Sequence, residues 1–231
     1  MLTNDDIRRS GATNLPDALR LVPGVQVARI TAHKWAVSIR GFNSQFAAKI
    51  QVLIDGRSIY SHLNAGVVWD IHNPMLEDID RIEIIRGPGA SLWGANAVNG
   101  VINIITKDTN ATRGNLLVAG GGNEDRVLTA FRHGGQIDDK SAYRVYARYF
   151  DRAQGAPLDN GETHDGSRGL QTGFRTDLQL TSRDQLTLQG DYFQGRQEEV
   201  LDLDFQRQQA IHTKSWQYNI LGRWQQCRRG R

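Results

Sequence analysis

Cysteine is nearly absent from the 231 residues, and the single thiol, Cys227, permits no intrachain disulfide while saying little about compartment. Long apolar runs are absent too. Without a stretch of about 18 apolar residues a transmembrane helix is excluded, whereas a barrel that meets lipid with alternating strands is not. Hydrophobic residues make up only 39%, which fits a soluble protein or a β-structure whose apolar side chains take every second position. Neither sign of charge dominates: 28 Lys and Arg against 25 Asp and Glu leave +3, interspersed except for Arg228, Arg229 and Arg231 at the end. A dispersed, slight excess is a solvated surface and argues against a nucleic-acid partner. The opening MLTNDDIRRSG lacks the basic and apolar regions of a secretory signal, which at face value places the chain in the cytoplasm.

Chemical motifs are missing as well. No G-x-x-x-x-G-K-[ST] loop occurs, and Gly87-Pro88-Gly89-Ala90-Ser91-Leu92 fails the G-x-G-x-x-G pattern at its third glycine. Ser91 is not framed as a nucleophile elbow. His33, His62, His72, His133, His164 and His212 lie far apart without paired ligand spacing, so no metal site is expected. The pairs Asp138-Asp139, Glu198-Glu199 and Asp202/Asp204 also lack a ligand pattern and read as solvated charge. With no catalytic constellation and no cofactor motif, an enzyme is not the expectation.

What is present divides near residue 112. Before it, Thr3 reads as an N-cap with Asp5 and Asp6 on the positive end of a helix dipole, Arg8 and Arg9 in the last turn, and Gly11 as the stop. A second short helix starts at about Leu15 with Pro16 in its first turn and closes at Pro23-Gly24. Strands are expected at about 25–29, 35–40, 50–54, 79–86 and 101–106, punctuated by Gly41, Asp55-Gly56 and the Gly-Pro-Gly loop. Residues 1–110 therefore read as an α+β domain: a small mixed sheet with short helices, not a doubly wound nucleotide-binding sheet.

Beyond Thr112 the period is two. Tyr143, Val145, Ala147 and Tyr149 alternate with Arg144, Tyr146, Arg148 and Phe150, and the pattern returns around Phe174–Leu180, Leu186–Tyr192 and Trp216–Trp224. Short links at about 135–140 and 182–184 alternate with long polar ones at about 151–168 and 196–213. Long loops on one side suit an outer-membrane barrel; a soluble β-sandwich with uneven loops is the alternative. Aromatic residues near strand ends, among them Tyr149, Tyr192, Trp216 and Trp224, favour the girdle of a barrel.

The stretch RIEIIRGPGASLWGANAVNGVINIITK, residues 81–107, joins two Ile/Val runs by a small-residue loop. Such a loop either offers bare amides to a phosphate or lets the backbone fold tightly on itself. Together with LPDALRLVPGVQV, SIRGFNSQ and VLIDGRSIY, in this order and at these separations, it resembles the plug domain of TonB-dependent outer-membrane receptors over residues 2 to about 108. The alternating segments after it, residues 111–231, resemble the first strands of the same family's barrel, giving an incomplete transmembrane β-barrel of about six antiparallel strands.

The resemblance implies uptake of a scarce metal chelate, of the ferric siderophore, haem or cobalamin class, through an outer-membrane barrel of about 22 strands occluded by the plug. It implies a TonB-type energy-transducing partner. It also implies ligand contacts on plug loops, here Phe42, Asn43 and Gln45 after Arg40, then Tyr60, His62, Asn64 and Trp69 after the Asp55-Gly56 turn, and Trp93. Aromatic and amide groups suit a large, oxygen-rich chelate by stacking and hydrogen bonding. Arg40, Glu83 and Arg86 match charged positions that seat the plug against the barrel wall; a plug-internal ion pair is the alternative. Gly41, Gly56, Gly87, Gly89, Gly94 and Gly100 are expected to be structural, turning the backbone where a Cβ would clash.

The sequence departs from the family at both ends. No signal peptide or TonB box precedes Met1, and about six strands leave two open edges that lipid does not tolerate. Two readings stay open: a fragment of a metal-chelate receptor, or a truncated, transport-incompetent binding module.

Overall fold

The computed structural model describes residues 1–41, 43–156, 163–204 and 207–226, of which 201–204 and 207–209 by backbone alone. Two units result, Met1–Lys107 and Asp108–Arg231.

In the first unit β1 (Leu2–Thr3) leads into helix α1 (Asn4–Ser10). The Thr3 hydroxyl accepts from the Asp6 N–H at 3.3 Å and the Asp6 carboxylate accepts from the Thr3 N–H at 2.9 Å, a reciprocal cap that fixes where the helix starts. Gly11, at φ 71°, ends it. Helix α2 (Leu15–Leu19) begins the same way, with the Asn14 side chain accepting from the Asp17 N–H.

Strands β2 (Val25–Arg29) and β3 (Trp35–Ile39) form a hairpin. There follow β4 (Ile50–Ile54), β5 (Arg57–Ser58), β6 (Tyr60–Ser61), β7 (Gly66–Val67), β8 (Ile79–Arg86), the short helix α3 (Ala90–Trp93) and β9 (Gly100–Thr106). The main sheet has the order β1-β8-β9-β4-β5, with β4 and β9 parallel and the other pairs antiparallel. The runs IQVLI and GVINIIT are buried because helices and the hairpin cover them: Ile50, Val52, Ile102 and Ile104 share one cluster with Ile7, Leu15, Leu19, Val37 and Ile39. Lys107 closes the unit. Its ammonium donates to the Asn4 side chain and the Glu77 carbonyl, both at 2.9 Å, while the Asn4 amide donates to the Ile79 carbonyl at 2.7 Å.

The second unit is a meander of six antiparallel strands in chain order: β10 (Gly114–Gly120), β11 (Asp125–Gln136), β12 (Ala142–Arg152), β13 (Ser167–Gln179), β14 (Asp184–Asp204) and β15 (Arg207–Gln226). One expectation is corrected here. The segment 196–213, read from its polarity as a long loop, is strand over 196–204 and 207–213: Arg196 pairs with Lys214, Glu198 with His212 and Val200 with Ala210. Backbone hydrogen bonds propagate the ladder without needing apolar alternation, so polarity alone did not mark its end. Cys227, Arg228, Arg229 and Arg231 lie outside the described residues.

Candidate ligand-binding site

Three connections of the first unit meet at one end of its sheet. Ile50 and Arg86 are both partners of Gly100, so the start of β4, the start of β9 and the end of β8 share that edge. The loop after Arg40 and the segment 87–99 run into it directly, and the Asn99 N–H donates to the Lys49 carbonyl at 2.8 Å. After the Asp55-Gly56 turn, β5 doubles back along β4 and carries the β6–β7 hairpin to the same edge. There Gly66 passes so near Phe46 that a Cβ on it would stand 2.8 Å from the Phe46 Cα. Glycine is thus what lets two predicted ligand loops touch.

On these loops Asn43 and His62 are exposed and Gln45, Tyr60, Asn64 and Trp93 half-buried. The Tyr60 and His62 rings meet edge to face, centroids 5.4 Å apart. The Asn64 side-chain amide donates to Ser61 Oγ at 3.1 Å, and Trp93 rests against Leu53, Ala97 and Val101. Beside them an open cavity of about 170 Å³ is lined by Gly41, Ser44, Phe46, Lys49 and Asn99.

Trp69 does not join them. It is 4% exposed within the main core, so the expectation of a ligand contact there is corrected: the chain beyond Val67 turns inward and the indole fills the interior. Phe42 lies outside the described residues. Two residues missed from the sequence do stand on the candidate loops: Leu63, 94% exposed in the hairpin turn, and Leu92, 86% exposed on α3. A lone leucine between His62 and Asn64 was the available signal.

The small-residue loop keeps its amides for itself. The N–H groups of Gly87 and Gly89 donate to the Asn99 and Ala97 carbonyls at 2.9 and 2.8 Å, Trp93 and Gly94 donate within α3, and Ala97 donates to Gly94. They are therefore not held open for a phosphate. Gly41, Gly56, Gly87 and Gly94 take left-handed φ. At Gly100 a Cβ would stand 2.5 Å from the Ile85 carbonyl oxygen and 2.8 Å from Ile39 Cδ1. Gly89 is the exception, since the tightest contact of a Cβ there would be the Trp93 ring at 3.2 Å, with Val101 and Ala97 at ordinary contact distance, and a small tilt of the indole relieves that.

Of the three latch candidates, Glu83 is engaged inside its own unit. It accepts from Arg81 at 2.8 Å and from Asn103 at 3.1 Å, hydrogen bonds that hold its carboxyl below the usual range. Arg40, at φ 58°, and Arg86 are exposed. Elsewhere in this unit burial, reinforced by the Arg57 charge, pushes the His72 imidazole down to about 3. Among the described residues no group of three or more His, Cys, Asp or Glu side chains is placed to hold a metal ion.

In the second unit each row of cross-strand partners shares one face. The row Phe131, Ala147, Thr172, Tyr192, Tyr218 faces one way and its neighbour Arg132, Tyr146, Gly173, Asp191, Asn219 the other. The first face exposes Leu117, Phe131, Val145, Phe174, Leu188 and Ile220, while Arg132, Arg144, Arg148, Gln171, Asp177 and Thr187 on the second are buried. Polar groups there find partners: Tyr146 donates to Asp191, Thr187 donates to Asp177 at 2.7 Å, and Arg175 pairs with Asp177 at 3.0 Å. A sheet apolar on its exposed face and polar on its buried one is built for lipid. Along β15 the apolar band runs from Trp216 through Tyr218 and Ile220 to Trp224, about nine residues, the length a tilted strand needs to cross a bilayer.

A mixed sheet with short helices, followed by strands of this polarity, matches known proteins in sequence and in structure. The sequence model of the TonB-dependent Receptor Plug Domain matches residues 1–101. The chain belongs to the TonB-dependent receptors. It is 31% identical over 184 residues to a vitamin B12 transporter, BtuB, of Vibrio vulnificus and 33% identical over 189 residues to that of Vibrio cholerae, matches covering 76% and 78% of this chain. The chain spans 27–28% of the length of these curated relatives. In structure it is similar to the Pseudomonas aeruginosa receptor FpvA solved with an iron-bound pyoverdine, at a TM-score of 0.71 and 17% identity, covering 98% of this chain and 31% of that one. That likeness shows the fold: a plug followed by barrel strands, here an unclosed sheet.

Proposed function

We propose that this chain belongs to an outer-membrane receptor that binds a metal chelate of the cobalamin, ferric siderophore or haem class and imports it with the help of a TonB-type energy-transducing partner. The observation that carries the reading is the convergence of the 41–49 loop, the β6–β7 hairpin and the α3 segment at one end of the first unit's sheet. Asn43, Gln45, Tyr60, His62, Asn64 and Trp93, with Phe42, are the ligand contacts, offering flat rings to a macrocycle or aryl group and amides to its oxygens. Leu63 and Leu92 add apolar area at the same end, and burying an exposed leucine stabilises a contact by about 1.5–3 kcal/mol. Arg40 and Arg86 hold the plug in place through charge, while Glu83 keeps its pairing with Arg81 inside the plug. Relatives that transport vitamin B12 and a neighbour solved with an iron-bound pyoverdine support the ligand class.

The test is calorimetric titration of the full receptor carrying this chain with cyanocobalamin and, separately, with a ferric siderophore. Saturable binding of one class is expected, weakened at least tenfold by Tyr60→Ala with His62→Ala while thermal unfolding is unchanged. Failure of both classes to bind, or affinities indifferent to the two substitutions, sinks the reading.

A further inference from the structure

The lipid-facing band of the second unit ends in aromatic rings, and cations stand directly beyond them. On the exposed face the row Thr129, Tyr149, Leu170, Gln194, Trp216 is followed by Val127, Asp151, Arg168, Arg196, Lys214, where Arg168, Arg196 and Lys214 are consecutive cross-strand partners. Adjacent partners on one face lie about 4.5–5.5 Å apart, close enough for three cations to address one doubly charged group. Like charges in such a row repel each other unless an anion joins them.

Around this row opens a cleft of about 430 Å³, which Arg126 also lines. Among the described residues the side chains of Arg126, Arg168, Arg196 and Lys214 make no hydrogen bond or ion pair. Two carboxylates line the same cleft. Glu198 accepts from Gln154 at 2.9 Å and faces the His212 ring at 3.9 Å. Asp151 and Glu198 thus face five cations, of which Arg152 is already paired with Asp125 at 3.2 Å, so that two negative charges stand against four cations without ion pairs. The row lies on the side of the long β12–β13 connection, away from the short turns at 137–141 and 180–183.

We propose that Arg126, Arg168, Arg196 and Lys214 form a docking site, on the lipid-facing side of the strands, for the phosphorylated headgroup of a glycolipid whose acyl chains lie along the apolar band. The proposal rests on the outer-membrane placement given above. Two continuities support one occupant: aromatic rings at the acyl–headgroup boundary and unpaired guanidinium groups one row farther out, where a phosphate of the same lipid falls. Guanidinium forks suit phosphate oxygens, and the Lys214 ammonium adds a point charge.

The experiment uses the full receptor in detergent, titrated with diphosphorylated lipid A, with the same lipid after enzymatic dephosphorylation, and with inorganic pyrophosphate, bound lipid being counted by native mass spectrometry. The diphosphorylated lipid is expected to bind and the dephosphorylated lipid to bind at least tenfold more weakly. Arg168→Ser and Arg196→Ser should each cost about fivefold, and Lys140→Ser with Arg183→Ser at the short turns nothing. Raising salt should weaken the phosphorylated lipid selectively, a readout on the unaltered receptor that survives any misfolding of the variants. Equal retention of the two lipids overturns the proposal, as does pyrophosphate binding as tightly as the lipid, which would make the cleft a site for free phosphates. Chelate binding by a receptor without lipid preference would sink this inference and leave the transport reading standing.

Discussion

The two units bury opposite things. In Met1–Lys107 the residues with no exposure include Leu15, Leu19, Val37, Val52 and Ile102, and among the described residues no Lys or Arg is buried, the buried carboxylates being Asp55, Asp70 and Asp78. In Asp108–Arg231 the buried residues include Arg132, Arg144, Arg148 and Asp177, while Leu117, Trp216, Tyr218 and Ile220 are each at least 70% exposed. One rule explains both: a surface keeps what its solvent accepts, water for the first unit and lipid for the exposed face of the second. Exposed apolar side chains that would be an aggregation hazard in water are the matched surface in a bilayer.

The sharpest way to break the comparison is to make the same kind of change on both sides. Ile102→Ala, in the middle of β9 between β4 and β8, should cost about 2–5 kcal/mol by lost burial and the cavity it leaves, read as a lowered urea midpoint for the first unit. A substitution that leaves the first unit intact should also matter in the second. Val145→Arg, midway along the exposed face of β12, should cost about 2–4 kcal/mol when the full receptor folds into phospholipid vesicles. An exposed valine facing water would tolerate the change within about 0.5 kcal/mol, so an indifferent Val145→Arg in vesicles contradicts the lipid-facing assignment.

How much of this was written in the residues depends on the range of the interaction. Thr3, Gly11 and Pro16 fix helix ends through contacts one to four residues away, and they were legible. Strands 25–29 and 50–54 were legible as short apolar runs between turn residues, and the six-strand sheet as a sustained period of two. The reach of β14 and β15 was not, because a backbone ladder carries no side-chain signature. Nor was the place of Trp69, whose burial depends on where the β6–β7 hairpin returns. The ligand loops could be named but not assembled, since their meeting rests on strand order and on the approach of Gly66 to Phe46. The basic row was hidden for a related reason: its members sit on different strands, and register alone aligns them.

The smallest effect concerns how each unit treats a buried ionisable group. In the second unit buried Arg152 and Asp177 have charged partners, Asp125 at 3.2 Å and Arg175 at 3.0 Å. In the first unit His72 is instead held neutral, its folded value near 3 lying below the 6.5 of the unfolded chain. Above pH 6.5 both states are neutral and the group contributes nothing. Between 6.5 and about 3 the unfolded chain takes up a proton that the folded one refuses, so stability falls with pH by at most about 1.4 kcal/mol per unit. His72→Phe keeps a ring of similar size and removes the proton. Urea unfolding of the first unit at pH 7.5 and pH 5, followed by tryptophan fluorescence, should show a smaller acid loss in the variant than in the unaltered chain. Equal losses would mean that His72 takes up its proton in the folded state, and that this interior admits an unpaired charge as the other unit does not.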